Sequence, residues 1–363
     1  ALKVYDFADG STTFNQPVRP ADSFIWQSGD SFGKSEVFPY PFDAYVSCVW
    51  KDAFPITENG ADPFVVRFED RYYYVYSADG GVAVSSADNI HHLKQDGKCI
   101  FRPAAGKPYS KELWAPEIHY LDGGWYCYVA ADDGANVNHH MYVLKSTNGR
   151  PDGDYELVGM LDDGSGCWAI DGTVLPYGGR LYFVWSGWES RENTHQNIYI
   201  APMKSPTELC GARVLLSTPE YDWEKRGSGP TKSGKCLPAV NEGPQVLEKD
   251  GTVHIIYSAA GSWCRHYCLG RLTFRGGDPL DPKCWEKCAE PVFTEGEGAH
   301  GPGHCSFVKA ADGKTDFIIY HARRDAKGGW VGRGMRAQPF TWDGDVPVFG
   351  KAASPEDDIE IPV

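Results

Sequence analysis

Three acidic residues stand at the head of apolar runs and are followed by proline or glycine: Asp62 in ADPFVV, Asp171 in IDGTVL and Glu242 in NEGPQVL. Brought together in a partly desolvated site, three carboxylates cannot all ionise freely, so one is pushed to a higher pKa and keeps its proton near neutral pH. A protonated acid beside an ionised one supplies a general acid and a general base. That division of labour is what cleavage of a glycosidic bond requires. Each acid alone has an ordinary structural reading, since Asp-Pro starts strands and Asp-Gly or Glu-Gly forms turns and bulges. Their joint recurrence argues for function, because burying an unpaired carboxylate costs on the order of several kcal/mol of lost hydration.

The elements that must position these acids form a repeat. Five stretches share one pattern of anchor residue, short apolar run, tight polar turn and a second run rich in Tyr, Phe and Val: ADPFVVRFEDRYYYVYS, LWAPEIHYLDGGWYCYVA, IDGTVLPYGGRLYFVWS, NEGPQVLEKDGTVHIIYS and GHCSFVKAADGKTDFIIYH. Their anchors, Asp62, Trp114, Asp171, Glu242 and His304, are separated by 52, 57, 71 and 62 residues. Such intervals are too long for a small solenoid repeat and suit one four-stranded blade each. The expected fold is therefore all-β: a five-bladed β-propeller over residues 53–350, a non-repeat N-terminal extension over 1–52 that packs on or completes it, and a C-terminal tail over 351–363. The innermost strand of each blade lines the axis, so the five anchors are expected to converge at one end of the channel.

The turns ED, DGG, YGG, KDG and ADG accept the positive φ that tight hairpins demand. The second run of each pair is apolar throughout, as in a strand covered on both faces, and QPFTWDGDVPVFG reads as a closing hairpin around Asp343 and Gly344. Trp114 offers an apolar face for a sugar ring, although a tryptophan at a strand start also serves as core. His304 reads either as a group that binds or orients a metal or its waters, or as a satisfied core imidazole. His321 in YHARRD and the pair His139-His140 are further candidates. The linkers from Thr218 to Ala239 and from Thr273 to Gly303 are long enough to be functional and are expected to rim the site.

Composition bounds the rest. Forty-one Gly, twenty-five Pro and 13% aromatics favour many strands and tight turns over helices. A net charge of -14, with no basic block, points away from nucleic acid; it reads either as an ordinary charged surface or as the solubilising charge of a secreted or periplasmic protein. No apolar run approaches the roughly 18 residues of a membrane-spanning helix, and a monomer is expected. The eleven cysteines include a doubled C-x3-C pattern, Cys264 with Cys268 and Cys284 with Cys288. It reads as two cross-strand disulfides or, with less suitable spacing, a zinc site.

The ordered set ADPFVV, LWAPEIHY, IDGTVL, NEGPQVL and GPGHCSF, followed by YHARRD and GRGMRAQPFTWDGDVPVFG, resembles glycoside hydrolase family 43 over about residues 53–350. The resemblance implies a five-bladed propeller with an inverting hydrolase site at one end of its axis. By its motifs Asp62 would be the general base, Asp171 the carboxylate that raises the acid's pKa and orients it, and Glu242 the general acid. His304 would lie near a central calcium ion or its water shell, and Arg333 or Arg336 would support the site from the last blade. The late motifs are similar to the α-L-arabinofuranosidase branch. They imply an exo-acting enzyme that removes arabinose from plant cell-wall polysaccharides, with a β-xylosidase, an exo-β-1,3-galactanase or a non-catalytic carbohydrate-binding propeller as alternatives. The Cys264–Cys288 segment and residues 1–52 have no counterpart in the resemblance.

Overall fold

A computed structural model describes residues 55–362, with backbone alone at 360–361, and before Pro55 only the backbone of five short strands. Three of those strands, Leu2–Asp6, Gly10–Phe14 and Ser47–Trp50, share a sheet with the C-terminal strand Ile359–Pro362. The remainder of residues 1–54 lies outside the described residues, and with it the expectation that the N-terminal extension packs on or completes the propeller.

The described residues are all-β, with three short 3₁₀ turns and no α-helix. Three antiparallel sheets are four-stranded meanders, running Phe64–Phe68 to Lys98–Phe101, Lys111–Leu121 to Tyr155–Met160, and His300–Lys309 to Val346–Val348. Five separate four-stranded sheets are expected from the repeat, but hydrogen bonding divides the chain differently. The copies that start at Ala169–Tyr177 and Ala239–Lys249 belong to one nine-stranded sheet. They are joined by a short parallel pairing of His195 and Gln196 with Ala239 and Val240. The closing hairpin forms as expected, with Thr341 opposite Val348 and Asp343 opposite Val346.

The central strands carry the core. Tyr73, Tyr74, Val75 and Tyr76 are all buried, because the period-two pleat sends alternate side chains to opposite faces and both faces are covered. Tyr72, Tyr74 and Tyr76 pack with Phe317 and Ile319 of the last copy, whereas Tyr73 and Val75 pack with Trp125 and Val129 of the second. The same sharing joins the second copy to the third, the third to the fourth and the fourth to the last. Polar stitches reinforce the contact between last and first: the Ser306 hydroxyl donates to the Pro63 carbonyl at 3.0 Å and accepts from the Val65 amide at 3.1 Å.

The C-terminal tail is tied down. Ala352 and Ala353 are buried, and the Ala353 amide donates to Gln338 at 2.8 Å. The stretch from Thr273 to Gly303 carries one short strand of its own, Trp285–Lys287, and the fully buried Phe293. The described cysteines are all free thiols, so the doubled C-x3-C pattern forms no disulfide. Among the described residues no cluster of metal ligands forms there or elsewhere.

Candidate active site

One backbone device recurs at the head of the repeat. In four copies the first strand advances three residues while its partner advances two, between Trp114 and Glu117, Ile170 and Thr173, Glu242 and Gln245, and Gly303 and Ser306. Each is a β-bulge, which bends the strand and re-aims its side chains. The residue entering each bulge has left-handed backbone: Ala115, Asp171, Gly243 and His304 have φ between 42 and 55°, and Asp62 has φ 52° just ahead of its strand. Positive φ at a non-glycine residue costs roughly 1 kcal/mol or more, and such strain gathers at functional sites.

This register corrects the sequence alignment. Asp62, Asp171 and His304 are equivalent, but Trp114 and Glu242 precede the equivalent residues Ala115 and Gly243 by one. Gly243 eases that position, since a Cβ on its left-handed backbone would lie a tight 3.2 Å from the His304 ring.

The bulges bring the predicted acids together. The His304 Nδ1 lies 3.3 Å from Asp62 Oδ1 and 4.0 Å from Asp171 Oδ2. The Gly243 amide, adjoining Glu242, donates to Asp171 Oδ2 at 3.1 Å. Arg333 donates to Asp62 Oδ1 at 3.1 Å. Of the two arginines proposed from sequence, only Arg333 reaches the acids; Arg336 is fully buried and donates to the carbonyls of Ala353 and Gly298.

The three carboxylates have unlike surroundings. Burial works to raise Asp62, but Arg333 and the two imidazoles outweigh it and hold its carboxyl well below the usual range. Burial, then repulsion from Glu242 and Asp62, drives Asp171 well above that range. Glu242 is pushed up to about 7, mainly by burial, with Asp62 adding to the rise and the Tyr267 hydroxyl opposing it. Near neutral pH the site therefore pairs an ionised Asp62 with a proton held on Asp171 and Glu242 as a pair.

Several further contributors complete the site, and of these only His321 is a candidate from the sequence. Tyr267 donates to Glu242 Oε1 at 2.8 Å and stacks on His321 with 2° between the ring planes. Gly303 makes room, since a Cβ there would lie 2.4 Å from the Tyr267 ring. His321 accepts from the Asp62 amide at 3.1 Å through Nδ1, and burial lowers its pKa to about 4, so it is neutral at pH 7. Two residues beyond the bulge entry stand the buried Glu117, Thr173, Gln245 and Ser306. Gln245 hydrogen-bonds Glu117 across the site, and His119 meets the other Glu117 oxygen at 2.9 Å. Their signal in the sequence was a constant offset of two from the bulge, visible only once the bulge was known.

Asn241 fixes the approach of Glu242. Its amide donates to the buried Glu224 at 2.9 Å and its side-chain oxygen accepts from Ser217 at 2.8 Å. Trp114 stacks on His139 at 4.0 Å and donates to Glu112 at 3.1 Å. His139 is itself held between Asp132 and the Glu112 carbonyl.

Calcium takes six to eight oxygens, water among them. The His304 Nδ1 faces Asp62 and Asp171, both Glu117 oxygens are engaged, and no group of three candidate ligands forms among the described residues, so an ion beside His304 would draw most of its oxygens from water.

The model of glycosyl hydrolases family 43 matches residues 54–347. The chain belongs to that family. It is 32% identical over 279 residues to an extracellular exo-α-(1→5)-L-arabinofuranosidase of Streptomyces chartreusis, covering 74% of this chain and 82% of that protein. It is 30% identical to α-L-arabinofuranosidase 43 of Humicola insolens, over 80% of this chain but only 61% of that longer protein. The crystal structure of an α-L-arabinofuranosidase from Lactobacillus brevis superposes with a TM-score of 0.76 at 31% identity, covering 83% of this chain and 97% of the other.

Proposed function

We propose that this chain is an inverting, exo-acting α-L-arabinofuranosidase built as a five-bladed β-propeller, with its site at one end of the axis. The blade count is supported by the apolar clusters that each neighbouring pair of copies shares, the last with the first included. The choice of sugar is supported by the relatives from Streptomyces chartreusis and Humicola insolens.

The observation that carries the reaction is the contrast between the acids. Asp62, paired with Arg333, stays ionised and serves as the base that takes a proton from the attacking water. Glu242, pushed up to about 7, keeps its proton and gives it to the leaving oxygen. Asp171 holds the backbone beside Glu242 in place by accepting from the Gly243 amide. In an inverting enzyme the base and acid flank the sugar with room for one water. No step is assigned to calcium.

The test is a product series. Debranched α-1,5-arabinan should release arabinose as the sole early product, and an α-L-arabinofuranoside should be cleaved faster than the matching β-xyloside or β-galactoside. Oligosaccharides as first products, or no arabinose at all, would overturn the proposal.

A further inference from the structure

Two large apolar side chains lie open to solvent beside the acids: Trp330 is 60% exposed and Val331 88%. An exposed tryptophan on a loop is often a chance feature, but this one is fixed at both ends. Its indole N–H donates to the Ser262 hydroxyl at 3.1 Å, and its backbone carbonyl accepts from the Arg333 Nε at 3.2 Å. Ser262 lies in the turn that runs through Gly261 and Cys264 into Tyr267, whose hydroxyl holds Glu242, while Arg333 binds Asp62. Trp330 thus touches the loop that holds the acid and the arginine that holds the base.

The rim around it is pre-arranged. The buried Arg323 guanidinium donates to the carbonyls of Ser262, Gly329 and Cys264. The Gly329 amide donates to the Trp263 carbonyl at 2.7 Å, and the Trp263 indole packs edge-on to Trp330 with centroids 5.9 Å apart. Gly328 permits this approach, because a Cβ there would lie 2.5 Å from the Trp263 carbonyl oxygen. A single buried cation therefore locks the loops that carry both tryptophans.

We infer that Trp330 is the platform for the sugar on the leaving-group side of the scissile bond. The inference rests on the proposed function and deepens it. The acid must face the leaving oxygen, so the leaving sugar lies on the Glu242 side. The indole pinned to Ser262 is the exposed aromatic face on that side, and a sugar's C–H face stacks on such a ring.

The experiment compares α-1,5-arabinobiose, which has a leaving sugar, with methyl α-L-arabinofuranoside, which has none. Trp330→Ala should lower the ratio of kcat/KM for the two about tenfold, equivalent to about 1.4 kcal/mol. The loss should lie mainly in KM for arabinobiose, and Trp330→Phe should restore most of the ratio. An unchanged ratio, or equal losses on both substrates, would overturn the platform role and leave the indole as rim packing. If the wild type cleaves neither arabinoside, the proposed sugar is wrong. The same ratio measured with xylobiose and methyl β-xyloside then decides the platform role separately.

Discussion

Replacing Tyr267 with phenylalanine should move the alkaline limb of the activity profile to higher pH. The phenol donates to Glu242 Oε1 at 2.8 Å in a buried setting, and a hydrogen bond to a carboxylate favours its charged form. Burial sets the raised value of about 7 for Glu242, and the phenol works against it. Its removal therefore raises Glu242 further. A hydrogen bond to a charged group contributes about 1.5–3 kcal/mol, and at about 1.4 kcal/mol per pH unit the ceiling is a shift of about one to two units. The protonated carboxyl can still accept the same O–H, so a shift of about one unit is expected. With Glu242 as the proposed acid, activity needs it protonated, and the limb near pH 7 should move to about pH 8. The phenyl ring keeps its stacking on His321, which limits collateral loss of packing. The assay is kcat/KM against pH on arabinobiose, whose poor leaving group demands the acid. A limb that stays in place or moves down would refute the assignment of Glu242 as the titrating acid.

Three further substitutions separate the roles of the site's charges. Glu242→Gln should lose far more activity on arabinobiose than on an aryl arabinofuranoside, since a good leaving group needs little acid help; equal losses in a substrate comparison would contradict the acid role. Arg333→Ala removes a cation that holds the Asp62 carboxyl down. The acidic limb of kcat/KM, below which the base is protonated, should therefore move upward in pH. Arg336→Met should instead orphan the carbonyls of Ala353 and Gly298. The expected destabilisation is about 2–4 kcal/mol, read as a lower Tm with the pH profile unmoved.

The all-β class and the convergence of the acids were legible because the repeat places similar residues at similar strand starts. Burial of the central strands was legible too, since RYYYVYSA or DFIIYHAR has no polar face to give to water. What escaped was a matter of single residues. The bulge shifts register by one, so Trp114 and Glu242 looked equivalent to Asp62 and Asp171 when Ala115 and Gly243 are. Arg333 and Arg336 are three residues apart on the same motif, and only the folded chain distinguishes the one that meets Asp62 from the one that fastens the C-terminal tail. Tyr267 lies in a segment whose cysteines drew attention to disulfide or zinc chemistry, and those thiols are free. Its hydroxyl meets Glu242 across 25 residues of chain, a contact that no local pattern encodes.

The central claim is that Asp62 activates water on one face of the sugar while Glu242 protonates the leaving oxygen on the other. Proton NMR of the first arabinose released from methyl α-L-arabinofuranoside, whose leaving group is methanol, tests it most directly, before mutarotation mixes the anomers. Single inversion predicts that the β-anomer appears first. Initial appearance of the α-anomer would require a covalent glycosyl-enzyme intermediate and would contradict the roles given to both carboxylates.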